Sequence, residues 1–177
     1  MNPAFVLHSS SCSERDDIVI DIINKTKATV FESYVFSDGK KGCRYSHIGA
    51  CKLARSLYPD KHFLIFEDDC VLSEDWADVL KGHEFADILY LGYNDRSEHS
   101  VFGTHALYIS PKARDVIIEH TEEWKNEVVD KGAYDMILSL LCRKYGLITC
   151  IPRMEDREKY AVQKKGLISQ ITGKIRV

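Results

Sequence analysis

FLIFEDDCVL, residues 63–72, runs four large apolar residues, Phe63 to Phe66, straight into three adjacent carboxylates, Glu67, Asp68 and Asp69. A continuous apolar run of this length is the pattern of a strand covered on both faces, the setting of parallel strands in α/β sheets. Charge crowded at its end is costly. Two unit charges about 4 Å apart repel by about 1 kcal/mol in water and about 4 kcal/mol at the effective dielectric of a partly buried site. A divalent cation would compensate, and hard carboxylate oxygens on a rigid strand end suit Mg²⁺ or Mn²⁺. A solvated acidic turn fits the triplet by itself equally well, so the neighbouring segments decide.

Working outward, short apolar strands alternate with helical stretches. Ala4 to Leu7 reads as a first strand, Glu14 to Asn24 as a helix and Ala28 to Phe36 as a second extended run. Ser37 to Gly42, SDGKKG, is turn chemistry. From Cys43 the apolar positions Ile48, Cys51, Ala54 and Leu57 recur at helical spacing until Pro59. After a helical stretch around Ala77 come strands at Ala86 to Leu91 and Thr104 to Ile109. Ser110 then caps a helix with Pro111 at its first position. Ala133 to Tyr145 is a helix stopped by Gly146, and Leu147 to Ile151 is a last strand. The expected fold is therefore α/β, a mixed, mostly parallel sheet with helices on both faces, in which ligands bind outside the carboxyl ends of the strands.

With 177 residues the chain fits one domain, and 45% hydrophobic and 29% charged residues are ordinary for a globular protein. A net charge of -3 gives no general attraction to nucleic acid or anionic membrane, and no apolar run approaches a membrane span. The six cysteines include no CxxC pair and the first residues no signal-peptide pattern, so they read as reduced thiols of a cytoplasmic protein rather than disulfides or a zinc site. From Tyr160 to Val177 there is no acid but there are Lys164, Lys165, Lys174 and Arg176, a basic tail. Such a tail either closes over an anionic ligand, with Lys164 or Lys165 supplying charge, or is a solvated terminus.

The acidic triplet sits among Gly42-Cys43-x-x-Ser46-His47, Gly103-Thr104-x-x-x-Tyr108-Ile109-Ser110, Asp135-x-x-Leu138 and Gln163 followed by Ser169-x-Ile171. In this order the segments resemble glycosyltransferase family 25, the lipopolysaccharide-type galactosyl- and glucosyltransferases and their collagen-modifying relatives, in a compact form found in bacteria and large DNA viruses. The resemblance covers nearly the whole chain, although the first strand, FVLHSSS, departs from the family's usual stretch. It implies a GT-A-type nucleotide-sugar fold and transfer of a hexose from a UDP-sugar, with inversion, to a glycan or glycoprotein hydroxyl.

The same resemblance assigns roles. Glu67 and Asp69 would hold Mn²⁺ or Mg²⁺ on the diphosphate, with Asp68 beside it. Leu7, His8 and Ser9 on the first strand, and Arg15 on the following helix, would contact the donor. Ser46 and His47, taken as the first turn of their helix, would meet an anion at free N–H groups, the alternative being a capping or core histidine. Gly103 and Thr104 would line the sugar pocket or form an ordinary turn. Asp135 would be the base that deprotonates the acceptor, the alternative being a capping aspartate; His105 and Glu98 are the other ionisable groups there. A receiver domain is excluded because two βα units precede the acidic strand and GYND has no matching lysine. A non-catalytic metal- or nucleotide-binding module remains the competing class, separated from an enzyme by turnover.

Overall fold

The computed structural model describes residues 2–96, 101–121, 123 and 134–164. The first strand, β1 (Ala4–His8), leads through a 3₁₀ turn to α1 (Asp16–Thr26) and β2 (Thr29–Glu32). Then come α2 (Gly39–Leu57), β3 (Phe63–Glu67), β4 (Cys70–Leu72), a 3₁₀ turn at Trp76–Leu80 and β5 (Ile88–Tyr90). A short pair, β6 (Asp95–Arg96) and β7 (Val101–Phe102), precedes β8 (Ala106–Ile109) and α3 (Pro111–His120). Further on lie α4 (Tyr134–Lys144), β9 (Thr149–Cys150) and β10 (Ala161–Gln163).

The main sheet has strand order β2-β1-β3-β8-β5-β9. β8 is antiparallel to both β3 and β5, while the β1–β2, β1–β3 and β5–β9 pairs are parallel. This is the mixed, mostly parallel sheet expected from the sequence. Its two faces bury separate cores. Phe5, Leu7, Phe63 and Ile65 pack with residues of α2, α3 and α4 on one side. Val6, Leu64 and Phe66 pack with Ile18, Val19 and Ile22 of α1 on the other. Because successive side chains of a strand point to opposite faces, the chain beyond Phe66 delivers Glu67 to the α2 side and Asp68 to the α1 side.

Most expected elements are present, with shifted ends. SDGKKG is not a free turn: Asp38 caps α2, its side chain accepting from the Lys40 N–H at 3.0 Å, and Gly39 to Gly42 form the first helical turn. Gly42 stands inside the helix because a Cβ there would lie 2.7 Å from the Tyr34 carbonyl oxygen. A glycine that reads as turn chemistry serves a close backbone approach instead. Ser46 and His47 consequently sit about two turns inside α2, and their N–H groups belong to the helix rather than to its free end. The first-turn anion site expected there is not present.

Four small strands, β4, β6, β7 and β10, have no counterpart in the sequence reading. β10 pairs antiparallel with β4, Gln163 opposite Cys70, so the start of the expected tail is strand. Lys165 and the rest of the tail, like Glu98, lie outside the described residues.

Candidate functional site

The carboxyl ends of β1, β2 and β3 and the start of β8 meet at one edge of the sheet, where Leu7 pairs with Glu67 and Phe66 with Ala106. There the three acids separate. All three contacts of Glu67 converge on Oε1, which accepts from Thr104 Oγ1 at 2.7 Å and lies 3.1 Å from His47 Nε2 and 3.8 Å from Cys43 Sγ. Burial alone would raise the Glu67 carboxyl, but the bonds and charge of His47, the Thr104 hydroxyl and the charge of His105 outweigh it and hold it at about 2. Asp68 accepts from Arg15 and has His8 Nδ1 at 3.0 Å, and the other His8 nitrogen is 3.1 Å from Asp16. Asp69 Oδ2 accepts from the Gln163 amide at 3.0 Å, and its carbonyl accepts from the Lys164 N–H at 2.8 Å.

A cleft of about 210 Å³ opens along this edge. Leu7, Arg15, Ser46, Glu67, Asp68 and Asp69 line it, as do Tyr34, Val35 and Phe36 from the β2–α2 loop. Those three are 50%, 69% and 37% exposed, an apolar surface left uncovered beside buried charge. Of the residues expected to contact a donor, His8 and His47 stand behind the wall, each holding one of its acids. Ser9 is buried, its hydroxyl 2.8 Å from that of Ser11. Ser46 donates to the Gly42 carbonyl and accepts from the Tyr34 N–H, fixing the loop that carries the aromatic residues. Sequence reasoning misses the β2–α2 loop as a site; its signal is YVF, residues 34–36, set between a strand and a glycine-rich turn.

A second cleft, about 300 Å³, is lined by Tyr93, Asn94, His105, Glu158, Gln163 and Lys164. Gln163 ties the two together: its amide donates to Asp69 and its carbonyl oxygen accepts from Asn94 at 2.8 Å. Asn94 is not singled out in the sequence, and Gln163 appears there as a motif position with no role assigned. Asp135, in the first turn of α4, accepts from the N–H groups of Met136 at 2.9 Å and Gly103 at 3.3 Å. Burial raises its carboxyl, aided by the charge of Glu67 and opposed by those backbone bonds. Gly103 has φ +102, a left-handed backbone suited to glycine, and this turn sets Thr104 against Glu67.

The depressed Glu67 carboxyl makes a prediction about acid stability. Because its folded value lies below its ordinary 4.5, its contribution is complete above pH 4.5 and fades as pH falls toward 2. In urea unfolding, the stability difference between wild type and Glu67→Gln should shift in favour of wild type between pH 2 and pH 6. A difference that does not change with pH would show that Glu67 is not held ionised.

All six cysteines are free thiols, Cys51, Cys70 and Cys142 buried and the others partly so. Among the described residues no helix is long and apolar enough to cross a membrane. No family model matches the chain, and a search of curated proteins finds no match. Solved structures do resemble it. A glycosyltransferase involved in glycosylation of the major capsid of PBCV-1 aligns with TM-score 0.58 at 8% identity, covering 85% of this chain and 81% of that one. The galactosyltransferase LgtC, in complex with donor and acceptor sugar analogues, aligns with TM-score 0.55 at 10% identity over 84% of this chain and 72% of its own. The inositol-1-phosphate CTP transferase from T. maritima aligns with TM-score 0.51 at 11% identity, covering 85% and 84%. At these identities the likeness concerns the fold, which is of the GT-A type.

Proposed function

We propose that the protein is a metal-dependent hexosyltransferase of the family 25 kind, moving a hexose from a UDP-sugar to a glycan or glycoprotein hydroxyl with inversion. The observation that carries this reading is the first cleft, with exposed Tyr34 and Phe36 along one wall and Arg15 and the carboxylates of Glu67, Asp68 and Asp69 along another. Aromatic faces suit a nucleobase, and the acidic wall suits a cation that carries the diphosphate.

The donor set fits Mn²⁺ or Mg²⁺, since every contacting atom would be a hard oxygen. Asp69 would hold the ion, with Glu67 or Asp68. Glu67 can share in this because His47, Thr104 and Cys43 all engage Oε1, while its side chain keeps 19% exposure. When bound, the ion supplies positive charge against the diphosphate as the glycosidic bond breaks. Arg15, buried beside Asp68, adds fixed positive charge at the same wall, and Lys164, just past β10, stands exposed near Asp69. The acceptor would enter the second cleft, whose Asn94, Gln163 and Glu158 offer hydrogen bonds to sugar hydroxyls. Asp135 is the proposed base and His105, which lines that cleft, its alternative.

A thermal-shift screen of nucleotide sugars with and without Mn²⁺ tests the proposal. A donor at 100 times its Kd should stabilise the protein by about 2.7 kcal/mol, about 5–10 °C for a chain of this size. UDP-hexoses should do so only with metal, and a suitable acceptor should then release UDP. Failure of every nucleotide sugar to raise the Tm would overturn the reading, and binding without turnover would leave a non-catalytic module.

A further inference from the structure

Cys43 and His47 lie four residues apart in α2, a spacing that puts both on one face of the helix. That face meets the end of β3, where Cys43 Sγ, a His47 ring nitrogen and a Glu67 carboxylate oxygen all lie within 4.8 Å of one another. We propose that Cys43, His47 and Glu67 form a site for Zn²⁺ or a similarly thiophilic divalent ion, distinct from the Mn²⁺ or Mg²⁺ assigned to Asp69.

Distances support this assignment. A tetrahedral zinc with Zn–N and Zn–O of about 2.0 Å and Zn–S of about 2.3 Å separates N from O by about 3.3 Å and S from O by about 3.5 Å. The separations here are 3.1 Å for His47 Nε2 to Glu67 Oε1 and 3.8 Å for Cys43 Sγ to the same oxygen. Both edges to Glu67 are within about 0.3 Å of those values, and the third, between Cys43 and His47, is no longer than 4.8 Å and would shorten on binding. Chemistry selects the ion: one thiolate, one imidazole and one carboxylate favour zinc over magnesium or manganese. Charge agrees, because a thiolate and a carboxylate neutralise a divalent ion in surroundings where His47 is fully buried. The imidazole plane is set by Tyr134, stacked on it with ring centroids 4.3 Å apart. Cys43 and Glu67 both line the first cleft, which can supply a water as fourth ligand.

Binding requires two proton movements. The Cys43 thiol releases its proton to solvent, and His47 must carry its proton on Nδ1, a buried atom with no hydrogen-bond partner among the described residues. That second requirement weakens the site, so it should fill when metal is added rather than hold zinc through purification.

The test uses the full chain, freed of metal with a chelator and titrated with Co²⁺ alone. One equivalent should produce an intense near-ultraviolet thiolate-to-cobalt absorption, and Zn²⁺ should remove it. Cys43→Ser should abolish the band, whereas Cys12→Ser, which changes the other thiol lining the cleft, should keep it. No band in the wild-type protein, or a band that survives in Cys43→Ser, would overturn the proposal. The wild-type titration decides even if the Cys43 variant fails to fold. Neither outcome bears on donor binding with Mn²⁺, so failure here and failure of the transferase reading are separate results.

Discussion

Asp69→Asn is expected to abolish metal-dependent donor binding while leaving the fold in place. Asp69 bonds through Oδ2 to a neutral donor, the amide of Gln163, while Asp68 faces Arg15 and Glu67 faces both His47 and the Thr104 hydroxyl. It is also buried, 3% exposed, so an ion bound there would meet little competing water. Asparagine keeps the shape and one acceptor oxygen for Gln163 but removes the charge. Losing one partner of a buried, hydrogen-bonded charge pair costs about 2–5 kcal/mol, so calorimetric affinity for a UDP-hexose in Mn²⁺ should fall about 10²-fold or more. Wild type in EDTA should show the same loss. Unchanged affinity in the variant, or wild-type affinity indifferent to EDTA, would remove the metal from the mechanism.

The layout that makes Asp69 distinctive is only half legible in the sequence. FLIF, residues 63–66, reveals a strand buried on both faces, and the sheet edge as the site follows from the alternation of elements. What the residues cannot announce is where each acid turns. Strand parity sends Glu67 and Asp68 to opposite faces, and their partners His47 and Arg15 come from separate helical segments. The error at SDGKKG has a physical cause: Gly42 looks like turn chemistry in one dimension and is a close-approach glycine in three. Cys43 and His47 are hidden for a related reason. A search for CxxC finds paired ligands on a turn, whereas these are paired on a helix face and completed by a strand end. The β4–β10 ladder escapes because three-residue strands carry too little periodicity to register.

Asp135→Asn should separate a base from a cap. Both oxygens of Asp135 accept backbone N–H groups, Met136 on one and Gly103 on the other. Asparagine can serve only one of them, so a purely structural Asp135 predicts a cost of about 1 kcal/mol, a fall in Tm of about 2–4 °C, and turnover that changes little. A base predicts a different loss. Without a carboxylate to take the acceptor proton, transfer should slow about 10²-fold or more with the donor still bound at its wild-type Kd. A base also predicts a pH dependence: burial raises the Asp135 carboxyl, a base must be ionised, and wild-type kcat/KM should therefore fall as pH drops through that raised value. The asparagine variant should lack this acidic limb. If turnover stays near normal and the limb persists, the proton goes elsewhere, and His105, buried at the mouth of β8 and lining the second cleft, becomes the group to replace.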